Sequence, residues 1–235
     1  MFKTIAVYHQ CFDNKKATEF AIKNYKIYNN SLYFLISDGG LSFEDIANKY
    51  NCIYFNDGKN VGMNYLSSEQ AIVIVQRLKY CFDKSNCDYL LLMEDDVFCK
   101  GKIILNEDFD LAGADTPGNI IHQTSLDYIK NKYKISPNVN YYNACGGSIL
   151  NKNIFYENYD TIIKFLKEDH DYIKNILSGE KYKWSYGSMD SMINFLYMIC
   201  GKKIIVNKLL TEYYRNPNWN SENFKLVHQY KLHYG

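Results

Sequence analysis

Three consecutive acidic residues, Glu94, Asp95 and Asp96, follow an apolar run that ends at Met93. The run of five residues before the triplet carries no charge, which is the pattern of a β-strand covered on both faces. Adjacent carboxylates repel one another unless a positive charge lies among them. Oxygen ligands suit Mg²⁺ or Mn²⁺, and such ions commonly bridge to substrate phosphates. We therefore predict a divalent-cation site at this strand end rather than a solvated acidic turn.

Polar residues also follow the other strands predicted in the first half of the chain. Tyr8 closes the first strand, Asp38 follows the second, and Asn60-Val61-Gly62 follows the third. Because ligands bind at the carboxyl ends of the strands in open α/β sheets, we expect these residues to share one site with the acidic triplet. The chain has no G-x-G-x-x-G after the first strand and no G-x-x-x-x-G-K-[ST]. These absences argue against a dinucleotide site of the usual kind and against a P-loop enzyme.

In type and order, these motifs resemble the GT-A fold of nucleotide-sugar-dependent glycosyltransferases, especially glycosyltransferase family 2 and its relatives. Glu94-Asp95-Asp96 resembles the acidic D-x-D-type motif, with Glu in its first place, and Asn60-Val61-Gly62 resembles the N-x-G segment. Downstream, Asn143-Ala144-Cys145-Gly146-Gly147-Ser148 resembles the glycine-containing acceptor-side strand. Tyr186-Gly187-Ser188-Met189-Asp190 resembles the segment that holds the catalytic base. The resemblance covers about residues 3–207.

The resemblance implies a role for each matched residue. Asp96 would bind Mn²⁺ or Mg²⁺ directly, Glu94 would contact the ribose or a metal-bound water, and Asp95 would orient its neighbours. Asp38 would help to select the base of the nucleotide, with uridine favoured over guanosine. Asp190 would take the proton from the acceptor hydroxyl, which favours inversion; a first-turn helix carboxylate is the alternative. The remaining residues assigned to the nucleotide sugar at the strand ends are Tyr8, Asn60, Gly62 and Asp95.

The last part of the chain, from 211 to 235, is polar and aromatic with weak periodicity. A loop of this length without regular structure is often functional, so we expect this tail to close the site. Several GT-A enzymes close the site with a C-terminal histidine that ligates the metal. The resemblance gives this role to His228, while Lys231 would meet the diphosphate as a point charge. A purely structural histidine is the alternative.

The predicted elements that position these residues alternate between strand and helix. Strands are predicted at 4–8, 32–36, 52–55 and 89–93, with helices at 14–28 and 65–82. After residue 98 the pattern weakens: 106–140 is mixed, 141–150 and 203–207 are strands, and 153–178 and 189–200 are helices. The sequence predicts a single α/β domain with a GT-A-like, Rossmann-like, mostly parallel central sheet flanked by helices, and a smaller acceptor-side sheet region. Residues 1–105 would bind the nucleotide sugar, 106–210 the acceptor, and 211–235 would be the closing tail.

Composition excludes several classes of function. The chain has 235 residues, with 27 Lys and Arg against 26 Asp and Glu, so its formal charge of +1 argues against a nucleic-acid partner. Seven cysteines without a C-x-x-C indicate neither a disulfide framework nor a zinc ribbon, as expected in a reducing compartment. The chain shows neither a signal-peptide pattern nor an apolar run long enough for a membrane span. We expect a soluble cytoplasmic protein.

We therefore predict a metal-dependent hexosyltransferase that uses a nucleotide-diphosphate sugar, with a UDP-sugar favoured, and a glycan or protein acceptor. A nucleotidyltransferase acting on sugar phosphates is the first alternative. Such enzymes usually carry a Gly-rich loop with Lys or Arg after the first strand, whereas this chain has Tyr8-His9-Gln10-Cys11-Phe12 there. A non-catalytic carbohydrate- or nucleotide-binding protein is the second alternative, and the three carboxylates at 94–96 count against it.

Overall fold

The structure, a computed structural model, describes residues 3–63, 66–116, 118–177 and 188–230. It contains the strands β1 (Ile5–Cys11), β2 (Tyr33–Ser37), β3 (Ile53–Asn56), β4 (Tyr89–Met93), β5 (Phe98–Cys99), β6 (Leu111–Gly113), β7 (Ile149–Asn151), β8 (Ile204–Val206), β9 (Leu210–Glu212) and β10 (Leu226–His228). Its helices are α1 (Lys15–Tyr28), α2 (Glu44–Lys49), α3 (Ser68–Lys84), α4 (Gln123–Tyr133), α5 (Lys152–Glu157), α6 (Tyr159–Glu168), α7 (His170–Leu177) and α8 (Met189–Ile199). Within the described ranges, every helix is too short or too polar to cross a membrane.

Seven of these strands form one large sheet in the order β3-β2-β1-β4-β7-β6-β8. They run parallel except β7, which is antiparallel to its neighbours β4 and β6. The strands β5, β10 and β9 form a smaller sheet. The predicted α/β class is therefore confirmed, with a mostly parallel central sheet between helices and a smaller second sheet.

Buried apolar side chains cover both faces of the large sheet, because successive residues of a strand point to opposite sides. On β1, Ala6 and Tyr8 belong to the cluster that includes α3, α6 and α8. Val7 belongs to the opposite cluster, which includes α1, α2 and Leu226 of the small sheet. Burial on both faces explains why β4 is an uninterrupted apolar run that the sequence predicted with its true bounds.

The chain order reverses beside β1. Strands β2 and β3 lie on one side of β1, whereas β4 lies on the other, and all four run parallel. The carboxyl ends of β1 and β4 therefore border a crevice at a topological switch point, where open α/β sheets bind their ligands. The acidic triplet follows β4 directly at this crevice.

The second half of the chain differs from the prediction at several points. The mixed region 106–140 contains β6 and α4, and the predicted helix 153–178 is divided into α5, α6 and α7 up to residue 177. Of the predicted strand 141–150, only its last two residues belong to β7. Residues 145–148 instead form a turn in which Ser148 N–H donates to the Cys145 carbonyl at 3.0 Å, with Gly147 at a φ of +94°.

The tail prediction needs a further correction. Residues 210–228 contain two strands rather than an unstructured closing loop, and β10 pairs with β5 and with β9. Leu226 and Val227 of β10 are fully buried. Tyr230 N–H then donates to the Asp96 carbonyl at 2.8 Å, so this part of the tail lies directly against the acidic triplet. Within the described residues, the tail is thus an integral part of the small sheet.

Candidate active site

A pocket of about 440 Å³ lies at the carboxyl ends of the first four strands. Its lining comes from residues 10–12 at the end of β1, Asp38 after β2, residues 60, 62 and 63 after β3, and residues 94–96 after β4. The fold thus brings Asp38, Asn60, Gly62 and the acidic triplet to one place, although they are far apart in the chain. A crevice lined by polar groups from several strand ends is the usual place for a nucleotide in this class of sheet.

Tyr8 is a correction to the sequence prediction. Its side chain is fully buried, and its hydroxyl donates to Gln10 Oε1 at 2.6 Å. Because β1 continues to Cys11, three residues past the predicted end, the pocket lining begins at Gln10 instead. The Gln10 amide also donates to the Gly62 carbonyl at 3.3 Å, so Tyr8 acts on the pocket only by holding Gln10.

Asp38 holds the loop that follows β3. Its two carboxylate oxygens accept the backbone N–H groups of Val61 and Gly62 at 2.9 and 2.8 Å. Gly62 has a φ of +67°, a conformation that glycine adopts without steric cost. The Asn60-Val61-Gly62 pattern therefore has a structural explanation, since Asp38 shapes this edge of the pocket. Its direct contact with a nucleotide base stays a prediction.

Arg77 of α3 completes this loop. Its buried guanidinium donates to Asp38 Oδ1 at 2.8 Å, to both oxygens of Asp57 at 3.0 and 2.8 Å, and to the Lys59 carbonyl at 2.8 Å. Burial would raise the pKa of Asp57, but the hydrogen bonds from Arg77 outweigh it and lower the pKa. Arg77 thus connects α3 to the loops that end β2 and β3.

Replacing Arg77 by methionine should strongly destabilise the fold. The substitution leaves the carboxylates of Asp38 and Asp57 without their cation, and breaking a buried ion pair in this way costs about 3–5 kcal/mol. We expect a loss of that size in the free energy of unfolding, measured by urea denaturation. The control is Lys79→Met on the same helix, whose exposed pair with Asp83 contributes about 0.3–0.5 kcal/mol. Equal losses in the two variants would contradict this role of Arg77.

Glu94, Asp96 and His228 form a cluster of possible metal ligands at the rim of the pocket. One ligand atom from each residue lies within 4.8 Å of the other two. His228 Nε2 is 3.6 Å from Glu94 Oε2 and 3.8 Å from Asp96 Oδ1. The two carboxylates follow β4, whereas His228 is the last residue of β10, so the pairing of β10 with β5 brings the three together.

The chemistry of this cluster fits a divalent cation. Glu94 Oε1 is buried without a hydrogen-bond partner, which is costly for a carboxylate oxygen unless something positive binds it. Carboxylates suit Mg²⁺ and Mn²⁺, and an imidazole in the set favours Mn²⁺ over Mg²⁺. Gly146 allows the close approach, since a Cβ there would lie 3.1 Å from both Glu94 Cδ and His228 Cδ2. Glu94, Asp96 and His228 thus form a set that could hold the ion. Cys145, Glu212 and His228 are spaced as closely, but a thiol suits Mn²⁺ and Mg²⁺ less well than carboxylates.

The electrostatics of His228 depend on its acidic neighbours. Burial alone would lower the pKa of His228, but Cys145, Glu212 and Glu94 outweigh it, and the pKa lies well above its usual value. Burial raises the pKa of the Cys145 thiol in turn. A proton and a metal ion compete for the same imidazole nitrogen, so metal binding at this cluster should release a proton.

Asp95 faces away from the metal-ligand cluster. Its Oδ1 lies 3.0 Å from His9 Nε2 and accepts a hydrogen bond from the Thr18 hydroxyl at 2.6 Å. The other His9 nitrogen is 2.7 Å from the Tyr33 hydroxyl. Asp95 therefore ties the acidic triplet to β1 and α1. The orienting role that the resemblance implied for Asp95 stays a prediction.

Asp190 lies in the first turn of α8, whose N-cap is Ser188. Burial and the nearby Glu94 carboxylate raise the pKa of Asp190 well above its usual value, with smaller effects from Glu212 and Asp96, while His228 acts in the opposite direction. The effects of the three acidic neighbours on the pKa of Asp190 weaken when a cation offsets their charge.

Comparison with known proteins finds matches among solved structures but none in sequence. No protein-family model and no curated protein matches the chain. The chain is similar to the solved structure of galactosyltransferase LgtC in complex with donor and acceptor sugar analogs. The identity is 14% and the TM-score 0.49, over 96% of this chain and 86% of that one. Because a fold does not imply a function, the reaction has to be inferred from the site.

Lys231, Tyr186 and Gly187 were predicted to belong to this site, but they lie outside the described residues. The phosphate contact of Lys231 therefore stays a prediction. Arg77 and Glu212 belong to the site, but sequence reasoning missed them, because they act through partners that are distant in the chain.

Proposed function

We propose that this chain is a metal-dependent glycosyltransferase that moves a sugar from a nucleotide-diphosphate sugar to an acceptor hydroxyl. One observation carries the proposal: the ligand atoms of Glu94, Asp96 and His228 lie within 4.8 Å of one another beside a pocket of about 440 Å³ at the switch point of the sheet. A diphosphate held there would lie between the nucleotide pocket and the acceptor half. A bound Mn²⁺ or Mg²⁺ would supply electrostatic stabilisation of the departing diphosphate.

The pocket supports a nucleotide as the ligand, with UDP favoured. Asp38, Asn60, Gly62 and Asp95 line it, and the loop shaped by Asp38 presents backbone groups as well as side chains. A carboxylate beside a base favours bases with an N–H donor, as in uracil and guanine. We propose that Asp38 selects the base partly through the loop that it holds, and that Lys231 contacts the diphosphate.

Asp190 is proposed as the general base for the acceptor hydroxyl. It lies in the first turn of α8, and the Glu94 carboxylate contributes to the rise of its pKa. Proton removal by a positioned carboxylate contributes about 10²–10⁴-fold to such a reaction. Direct attack by the deprotonated hydroxyl on the sugar inverts the configuration at its anomeric carbon, so we propose an inverting enzyme.

Product analysis tests this function. The full-length protein is incubated with a panel of UDP- and GDP-sugars in Mn²⁺, in Mg²⁺ and in excess chelator, and the released nucleotide is identified. We expect slow release of UDP from one UDP-sugar, only with a divalent cation. Pyrophosphate formed from a nucleoside triphosphate and a sugar phosphate would identify a nucleotidyltransferase instead. Nucleotide binding without any turnover would identify a binding protein.

A further inference from the structure

Glu212 contacts His228 from the side opposite to the acidic triplet. Glu212 Oε1 lies 2.8 Å from His228 Nδ1, and both residues are buried. The two residues are direct neighbours in register on the parallel strands β9 and β10. The contact is therefore built into the small sheet and does not depend on a surface rotamer.

The contact decides which imidazole nitrogen can bind a metal ion. A carboxylate can only accept at this position, so His228 Nδ1 carries the hydrogen and donates it to Glu212. In a neutral ring the lone pair is then on Nε2, the atom that faces Glu94 and Asp96 at 3.6 and 3.8 Å. Histidine ligands of metals usually donate their other ring N–H to such an acceptor, which fixes the ring and raises its basicity.

A second contact holds the Glu212 carboxylate itself. Arg215 Nε lies 3.3 Å from Glu212 Oε2, and Arg215 Nη2 donates to Asn119 Oδ1 at 3.1 Å. The Arg215 contact is an ion pair and not a hydrogen bond, because Glu212 Oε2 has no hydrogen-bond partner among the described residues. The Glu212 carboxylate is thus held by its hydrogen bond to His228 and by the charge of Arg215.

We propose that Glu212 is a positioning residue that fixes the tautomer and orientation of His228 and thereby sets the affinity of the site for its divalent cation. The proposal rests on the proposed metal-dependent function, because His228 would be a ligand only in that case. The competing explanation is that Glu212 merely stabilises the small sheet by a buried ion pair. The two differ in one respect: a positioning residue acts on metal affinity only through His228.

A double-mutant cycle on metal binding tests the proposal. Mn²⁺ alone is titrated by calorimetry into the full-length wild type and into the variants E212A, E212Q, H228A and E212A/H228A. We expect E212A to weaken Mn²⁺ binding by about 10–100-fold, as loss of such partners does elsewhere. E212Q should lose less, since its amide oxygen can still accept the Nδ1–H. In the H228A background, E212A should add almost nothing.

The fold is checked with a matched control. Thr211 is the preceding residue of β9, and its side chain is also buried and hydrogen-bonded, to Asn216. T211A should leave the Mn²⁺ affinity unchanged, and thermal unfolding of every variant reports any loss of structure. If E212A fails to fold, E212Q carries the test, because it preserves the shape of the side chain.

The outcomes distinguish the metal-dependent function from the positioning role of Glu212. A wild type that binds no Mn²⁺ would show that the proposed metal-dependent function is wrong. A wild type that binds Mn²⁺ with E212A and E212Q unchanged would overturn the role of Glu212 alone. The same would follow if E212A weakened binding equally with and without His228, because the effect would then not pass through the ring.

Discussion

Replacing Asp96 by asparagine should abolish sugar transfer and leave the protein folded. Asp96 Oδ1 faces His228 Nε2 at 3.8 Å in the metal-ligand cluster, and an amide does not supply the anionic charge that a hard cation prefers. Loss of partners of metal ligands already lowers affinity about 10–100-fold, so loss of a ligand charge should lower it at least about 100-fold. Calorimetry with Mn²⁺ and UDP measures the affinity, and donor turnover measures the activity.

The adjacent carboxylate provides a matched comparison. Asp95 bonds His9 and Thr18 rather than facing the cluster, so Asp95→Asn should retain most of the Mn²⁺ affinity. Equal losses in the two variants would mean that the net charge of the triplet matters and not the position of Asp96. Undiminished transfer by Asp96→Asn, or full activity in excess chelator, would show that the cluster is not a metal site.

Substitution of Asp190 by asparagine should lower transfer by about 10²–10⁴-fold, because the amide cannot accept the proton of the acceptor hydroxyl. Donor binding should barely change, since that proton belongs to the acceptor. The measurements are single-turnover transfer with a saturating acceptor and, separately, the affinity for the nucleotide sugar. A parallel loss of donor affinity and transfer would make Asp190 a donor contact or a structural residue.

A second carboxylate in a first helical turn serves as the control. Asp160 lies in the first turn of α6, and Asp160→Asn should change only stability, by about 0.3–1 kcal/mol through the helix dipole. If Asp190→Asn produced the same small change in stability and left transfer intact, Asp190 would be a helix-terminus carboxylate and nothing more.

Local patterns were sufficient for the first hundred residues of this protein. The strands and helices of the first hundred residues repeat with periods of two or of 3.6 residues over long enough segments to be recognised. The run before the acidic triplet is buried on both faces, so its apolar residues are continuous and its bounds, Tyr89–Met93, were predicted correctly. A polar residue at the end of each such strand could then be assigned to one edge of the sheet, because the sheet is parallel.

Local patterns did not predict the short strands or the residues at which strands end. Strands of two or three residues, such as β5, β9 and β10, show no period, so the tail was predicted as an unstructured closing loop. Tyr8 was assigned to the pocket because β1 was predicted to end there, whereas β1 runs on to Cys11 and buries Tyr8. Side chains alternate between the two faces of a strand. An error in the predicted end of a strand therefore assigns a side chain to the wrong face or the wrong end of the sheet.

The sequence by itself determined the α/β class, the mostly parallel sheet and the place of Glu94, Asp95 and Asp96 after a buried strand. Tertiary structure alone decided the partners: His228 beside Glu94 and Asp96, Glu212 beside His228, and Arg77 between Asp38 and Asp57. The physical reason is that strand propensity and hydrophobic period are properties of neighbouring residues. Hydrogen bonds and ion pairs between distant residues depend on how the sheets are paired, and no local pattern records that pairing.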